Sequence, residues 1–144
     1  MRSLQEDYLI KVDGSQEADG VCDTVSLVTR GDFIQRDHAY YIIYKETEAT
    51  GYAGCTTTVR IKDDSQQVSM LRFGSAPSQL VLEKGVRHIC HYETGHGALS
   101  LGLSADEIIC ELSNEGGQLY FSYLLDVGEE SYSRNTVHIT VRKA

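Results

Sequence analysis

The chain has 144 residues, which is typical of one domain that buries roughly two thirds of its unfolded surface without metals or disulfides. Its 13 basic and 21 acidic side chains give a formal net charge of −8, and no block of lysine and arginine indicates a nucleic-acid-binding face. The N-terminal residues become acidic where a signal peptide would be apolar, and no segment is long and apolar enough to span a bilayer. We therefore expect a single domain over residues 1–144, located in the cytoplasm, with neither a nucleic acid nor a membrane as partner.

The N-terminal quarter of the chain predicts a hairpin followed by a short strand. Apolar residues alternate with polar ones over 8–12, and the polar, glycine-containing stretch 13–20 is typical of a hairpin loop. Residues 21–31 then predict a long strand, and 33–36 predict a short one that ends in a turn. This order is typical of an up-and-down sheet.

Three consecutive strands form the centre of the predicted sheet. They cover residues 39–46, 54–62 and 67–74, which contain many aromatic and β-branched residues and are separated by acidic or glycine-containing turns. Because side chains on a strand change face at every residue, the second of these strands has one apolar and one polar face. The residues expected on its dry face are Cys55, Thr57, Val59 and Ile61.

The second half of the chain repeats this alternation between turns. Its predicted strands cover residues 78–83, 88–93, 97–103, 108–112, 119–127 and 135–142. No apolar pattern with the helical period continues for three turns, and about ten short strands with little helix are typical of a β-barrel or sandwich. We favour an all-β fold, a single antiparallel and mostly up-and-down barrel, because consecutive hairpins without long crossovers suit a sheet that closes on itself.

Several short motifs, taken in order, resemble one family of bacterial proteins. The motifs begin at Gly31 and continue at residues 41–46, in the threonine-rich strand, and at 72–74, 92–97, 116–123 and 135–140. Together they resemble the YwiB-like proteins of Gram-positive bacteria over nearly the whole chain. The resemblance implies a calycin-like barrel, similar in shape to lipocalins and fatty-acid-binding proteins, in a family whose function is uncharacterised.

The cysteines suggest reduced thiols instead of a disulfide framework. Cys22, Cys55, Cys90 and Cys110 are far apart in sequence, and each lies on an apolar-leaning strand. This spacing suits small buried hydrophobic side chains better than disulfides or paired metal ligands.

A histidine and cysteine cluster raises the question of a metal site. His88 and Cys90 project to one side of a strand, as two ligands must, but His91 points to the other face and His96 lies in the adjoining turn. No third ligand is assured, so we interpret the cluster as ordinary strand residues and expect neither a metal nor a cofactor.

Tyrosines within the strands are candidates for lining a pocket. Tyr44, Tyr92 and Tyr123 are three of the nine tyrosines, and their hydroxyl groups could reach into the lumen of a barrel. The alternative is that they pack across strands on the barrel wall, which is the commoner use of strand tyrosines.

Arg72 and Glu46 are the most suggestive charged residues. Arg72 shares a strand face with Val68 and Met70, and Glu46 continues the face of Tyr44, so each charge ends an apolar face and requires a partner. The two residues are interpreted either as a structural ion pair at the barrel mouth or as a site in which Arg72 orients the carboxylate or phosphate of a ligand.

These residues lead to a hypothesis of ligand binding in the barrel lumen. We expect a small ligand that is partly apolar or acidic, at a site that includes Arg72, Glu46, Tyr44, Tyr92 and Tyr123. The alternative is an interaction module with a filled barrel, with a homodimer as one form of it. An enzyme is the third possibility, although no nucleophile elbow, P-loop or zinc-protease motif is found in the sequence.

Overall fold

Ten antiparallel strands form a closed barrel in which strands adjacent in sequence pair and the first strand pairs with the last. This computed structural model describes residues 6–93, 98–128 and 132–144. The strands are β1 (Tyr8–Ala18), β2 (Val21–Arg36), β3 (Ala39–Lys45), β4 (Thr56–Lys62), β5 (Gln67–Phe73), β6 (Ser78–Glu83), β7 (Arg87–Glu93), β8 (Ala98–Ser113), β9 (Gly116–Asp126) and β10 (Tyr132–Lys143). The prediction of an antiparallel, up-and-down barrel of about ten strands is confirmed.

The pairing of β1 on both sides closes the barrel. Tyr8 lies opposite Gly31 of β2 and opposite Lys143 of β10, and both ladders continue along almost the whole of β1. Closure gives the backbone groups of the first and last strands a partner, so neither strand remains an open edge.

The alternation of strand directions gives the barrel two different ends. At one end, which we call the mouth, β1, β3, β5, β7 and β9 finish and β2, β4, β6, β8 and β10 begin. The opposite end holds the remaining turns and the terminal parts of β1 and β10. Residues from distant parts of the sequence therefore meet at the mouth.

The middle of the barrel is filled by its own side chains. Phe121, Ile42 and Leu103 are fully buried there, together with many aliphatic residues from the other strands. The expected dry face of the threonine-rich strand is confirmed, since Cys55, Thr57, Val59 and Ile61 are all buried. Apolar burial on this scale is the main stabilising contribution to the fold.

The first hairpin is longer than the sequence pattern predicts. The sequence predicts a loop over residues 13–18, but β1 continues to Ala18 and the connection is a two-residue turn at Asp19 and Gly20, both with positive φ. The polar residues of this stretch still form a strand because the register with β2 continues to the pair Ala18–Val21. Tertiary pairing therefore overrides a weak local β-propensity here.

β2 is one continuous strand, whereas the sequence predicts a break after Gly31. The glycine allows close packing instead of a turn: a Cβ there would lie 2.1 Å from the carbonyl oxygen of Ile43 and 2.6 Å from Cδ1 of Ile10. A strand glycine that permits close backbone approach is thus easily mistaken for a breaker.

β8 also joins two predicted strands, 97–103 and 108–112, into one. A β-bulge between Ala105 and Glu107 shifts the register with β9, so pairing continues on both sides of the irregularity. A bulge adds one residue without ending a strand. It interrupts the alternation of apolar and polar residues, which is why the sequence predicts two strands with a gap between them. The predicted turn before β8, at residues 94–96, lies outside the described residues.

The close packing at Gly31 generates a stability prediction. Replacing Gly31→Ala should lower the free energy of unfolding by about 2 kcal/mol or more, because the new methyl group overlaps backbone that cannot move away easily. Chemical denaturation measures the change.

Gly14→Ala is the matched control. It also lies in a strand, but a Cβ there would be 3.8 Å from its nearest atom, the carbonyl oxygen of Thr136. Its effect should stay within about 0.5 kcal/mol. Equal losses for the two variants would contradict the close approach at Gly31.

Candidate functional site

The inner face of the β1–β2 hairpin is open at the mouth. β3 pairs with β2 only from Gly31 to Arg36, so among the described residues the segment 21–30 of β2 pairs with β1 alone. Two valines of this segment that point inward remain in water, Val21 at 61% exposure and Val25 at 44%. Inward-facing apolar side chains without cover are typical of a binding surface.

A cleft of about 200 Å³ lies on this open face, between β1, β2, β9 and β10. Its residues are Gly14, Ser15, Gln16, Asp23, Val25, Tyr123, Asn135, Thr136 and Val137. Because Gly14 pairs with Val25 and Gln16 pairs with Asp23, these four residues share the inner face of the hairpin. We call this space the mouth cleft.

Tyr123 is the aromatic residue of the mouth cleft. It is largely buried, and its ring stacks on Phe121 with 6.3 Å between ring centres. Burial raises the pKa of the Tyr123 hydroxyl to about 12, so the group stays neutral at physiological pH. Tyr123 therefore contributes an apolar ring and a neutral hydroxyl group.

Asn135 contributes the amide group of the mouth cleft. Its side-chain nitrogen donates a hydrogen bond of 3.0 Å to the hydroxyl oxygen of Ser133, and both residues are buried. The same nitrogen donates to the backbone carbonyl oxygen of Ser133 at 3.4 Å, and because that oxygen can only accept, the side-chain carbonyl oxygen of Asn135 is left as the acceptor.

A second, smaller cleft lies on the other side of the mouth and contains Arg72 and Glu46. Its volume is about 60 Å³, and Thr57, Met70 and Leu80 are among its other lining residues. The structure thus brings the two predicted charges to one cleft that admits a small polar group.

Arg72 holds two loops of the mouth together. Its Nε donates a hydrogen bond of 2.6 Å to the carbonyl oxygen of Ala76 in the β5–β6 turn. Its guanidinium carbon lies 3.6 Å from the ring centre of Tyr52, in the β3–β4 loop. A planar guanidinium suits this combination of stacking and directed hydrogen bonding.

Glu46 and Tyr44 belong to the same side of the mouth. The hydroxyl groups of Thr50 and Thr57 donate to the two carboxylate oxygens of Glu46, at 3.2 and 3.0 Å. Burial raises the pKa of Tyr44, and the negative charge of Glu46 adds to this shift while Arg72 opposes it. The three predicted residues therefore share one electrostatic environment.

Four of the five predicted site residues divide between two sides of the mouth. Tyr44, Glu46 and Arg72 lie together, whereas Tyr123 belongs to the mouth cleft. The backbone of Tyr92 belongs to β7, but its side chain is not among those that the structure describes. An ion pair between Arg72 and Glu46 stays a prediction.

The structure also contains a charged pair that sequence reasoning missed. Arg87 on β7 donates to both carboxylate oxygens of the buried Asp126, at 2.6 and 3.0 Å. The guanidinium lies across Gly102 of β8, where a Cβ would come within 2.3 Å of it. This bidentate contact stabilises the outer side of three adjacent strands.

One member of the histidine and cysteine cluster, His88, has a hydrogen-bond partner in the barrel. His88 Nε2 lies 3.0 Å from an oxygen of Glu83, and the hydrogen bonds of His88 and Gln67 lower the pKa of that carboxyl group. In the part of the chain that the structure describes, no group of three His, Cys, Asp or Glu side chains is arranged to hold a metal ion. His96 lies outside the described residues.

All four cysteines are free thiols, but they are not all buried as expected. Cys55 and Cys90 are buried and Cys110 is half-buried, whereas Cys22 is exposed. Cys22 lies between Val21 and Asp23, which face inward, so its side chain is on the outer face of the barrel and points into solvent. The apolar-leaning sequence around it therefore misled the prediction.

Among the described residues, no helix is long and apolar enough to cross a membrane.

Comparisons with known proteins agree on the fold. A family model with the description "Domain of unknown function (DUF1934)" matches residues 10–139. The "Uncharacterized beta-barrel protein YwiB" of Bacillus subtilis is 25% identical over 124 residues, which are 86% of this chain and 84% of that protein. The crystal structure of the ywiB protein from Bacillus subtilis matches with a TM-score of 0.77 at 22% identity, covering 92% of this chain and 89% of that chain. The resemblance to the YwiB-like proteins is confirmed.

The contacts of Arg72 generate a prediction about the two loops. Replacing Arg72→Lys should lower the free energy of unfolding by about 1–2 kcal/mol, since lysine keeps the charge but loses the Nε hydrogen bond to Ala76. In a double-mutant cycle, Arg72→Met and Tyr52→Leu should couple by about 0.5–2 kcal/mol.

Arg30→Lys is the control, because Arg30 is an exposed arginine on β2. Its effect should stay within about 0.5 kcal/mol. Strictly additive effects of the Arg72 and Tyr52 substitutions would show that the stacking contributes nothing measurable.

Proposed function

The chain belongs to the DUF1934 family, whose function is unknown, and we propose that this protein binds a small, partly apolar molecule in the mouth cleft. The observation that carries the proposal is the combination of Val25, Val137 and Tyr123 around one open space of about 200 Å³. Ligand sites are typically concave, mostly apolar and supplied with a few polar groups, here Asn135 and Asp23.

The mouth is favoured over the interior of the lumen as the site. Phe121 and the aliphatic residues around it fill the middle of the barrel, so a ligand would have to displace well-packed side chains there. The mouth cleft requires no such displacement. Its size, below the roughly 300–1,000 Å³ of drug-sized sites, favours a short ligand.

Arg72 remains a candidate partner for an acidic group, but in a more limited role than the sequence suggests. Its cleft of about 60 Å³ admits a group the size of a carboxylate and leaves little space for an alkyl chain. An acidic ligand at Arg72 would therefore place most of its surface in solvent. This supports the larger mouth cleft as the principal site.

The alternative function, an interaction module with a filled barrel, has one observation in its favour, which is the packed lumen. The outward-facing apolar residues Val28, Phe73, Ile89 and Ile109 are exposed, but they lie on four different strands. Scattered apolar residues of this kind are normal on a protein surface. We keep the cytoplasm as the predicted location of either function.

Two valines on the same strand provide a matched test of the mouth cleft. Val25 points toward the cleft and is 44% exposed, while Val28 points outward and is 59% exposed. We expect the small fluorophore 1-naphthylamine, which is neutral at pH 7, to bind the wild-type protein, and Val25→Lys to raise its Kd about tenfold by removing apolar contact area. A fluorescence titration measures both values.

Val28→Lys should leave the Kd within about twofold of the wild-type value, because the side chain is remote from the cleft. Circular dichroism of both variants shows that the fold is retained. Absence of binding to the wild-type protein, or equal weakening by both substitutions, would contradict the proposed site.

A further inference from the structure

The charge of the mouth cleft is negative. Asp23 is the carboxylate in its wall, and none of the described residues that line the cleft is lysine, arginine or histidine. Asp23 also forms no ion pair among the described residues. An anionic ligand would meet an uncompensated carboxylate here, whereas a cation would gain a counter-charge.

The other polar side chains of the cleft carry no charge, and they are those of Ser15, Gln16, Tyr123, Asn135 and Thr136. The amide nitrogen of Asn135 is engaged by Ser133, so its carbonyl oxygen is the group left for a ligand. The phenol of Tyr123 stays neutral at physiological pH because burial raises its pKa to about 12. An ammonium group has three donor hydrogens and no acceptor, so it complements the carboxylate of Asp23 and the carbonyl oxygen of Asn135.

Building on the proposed function, we infer that the ligand of the mouth cleft is a small amphipathic amine. The ammonium group lies toward Asp23 and the carbonyl oxygen of Asn135, and the apolar part lies against Val25, Val137 and Tyr123. The formal net charge of −8 attracts cations over a longer range and supports their approach.

Three six-carbon probes that differ in charge test this inference. Hexylammonium, hexan-1-ol and hexanoate are titrated separately into the isotopically labelled wild-type protein at neutral pH and low salt, and amide chemical shifts give each Kd. We expect hexylammonium to bind about fivefold more tightly than hexan-1-ol, and hexanoate to bind more weakly than both. High salt should reduce the preference for the amine.

Asp23→Asn identifies the counter-charge, and Asp19→Asn is its control. Asp19 lies in the turn of the same hairpin and does not line the cleft, so its replacement changes the net charge equally. Asp23→Asn should raise the Kd of hexylammonium to that of hexan-1-ol and leave the Kd of the alcohol unchanged. Asp19→Asn should preserve the preference.

The outcomes distinguish a wrong inference about the charge of the ligand from the absence of a ligand site. Binding of hexan-1-ol without a preference for the amine, or tighter binding of hexanoate, would overturn the inference and leave the apolar cleft standing. Equal losses of amine affinity in both aspartate variants would attribute the preference to net charge and would also overturn it. If none of the three probes binds, both the inference and the proposed function fail.

Discussion

The pairing of β1 with β2 on one side and with β10 on the other is the constraint on which the rest of the structure depends. It closes the sheet, and closure turns the apolar faces of ten strands onto a common interior that their side chains fill. β2 extends past the end of β3, so the hairpin that it forms with β1 continues beyond the filled interior. The mouth cleft is a consequence of this mismatch in strand length, since the inner face of the hairpin lacks a complete opposite wall.

Much of the fold could be predicted because alternation survives wherever one face of a strand is buried. The strand from Thr56 to Lys62 shows this clearly, with Thr57, Val59 and Ile61 all buried. The prediction was wrong where pairing, not local pattern, decides the structure. The polar end of β1 is a strand because it lies between two partners, and Gly31 continues β2 because its missing side chain admits the backbone of β3.

The candidate site was predicted less completely for the same physical reason. Tyr123, Arg72 and Glu46 stand out by residue type on apolar strand faces, and all three lie at the mouth. Gln16 lies in a stretch that the sequence reads as a loop, and Asp23, on a predicted strand, is placed beside it only by the extended register of the first hairpin. The role of Arg72 as a contact between two loops depends on Tyr52 and Ala76, and neither position carries a periodic signal.

The mouth cleft as a ligand site is most directly tested by intermolecular nuclear Overhauser effects between bound hexan-1-ol and the valine methyl groups of the protein. We expect contacts to Val25 and Val137, which line the cleft, and none to the outward-facing Val28. Contacts to Val59 and Val68, which are fully buried in the lumen, would instead show that the barrel interior opens to the ligand and would contradict the assignment of the site to the mouth.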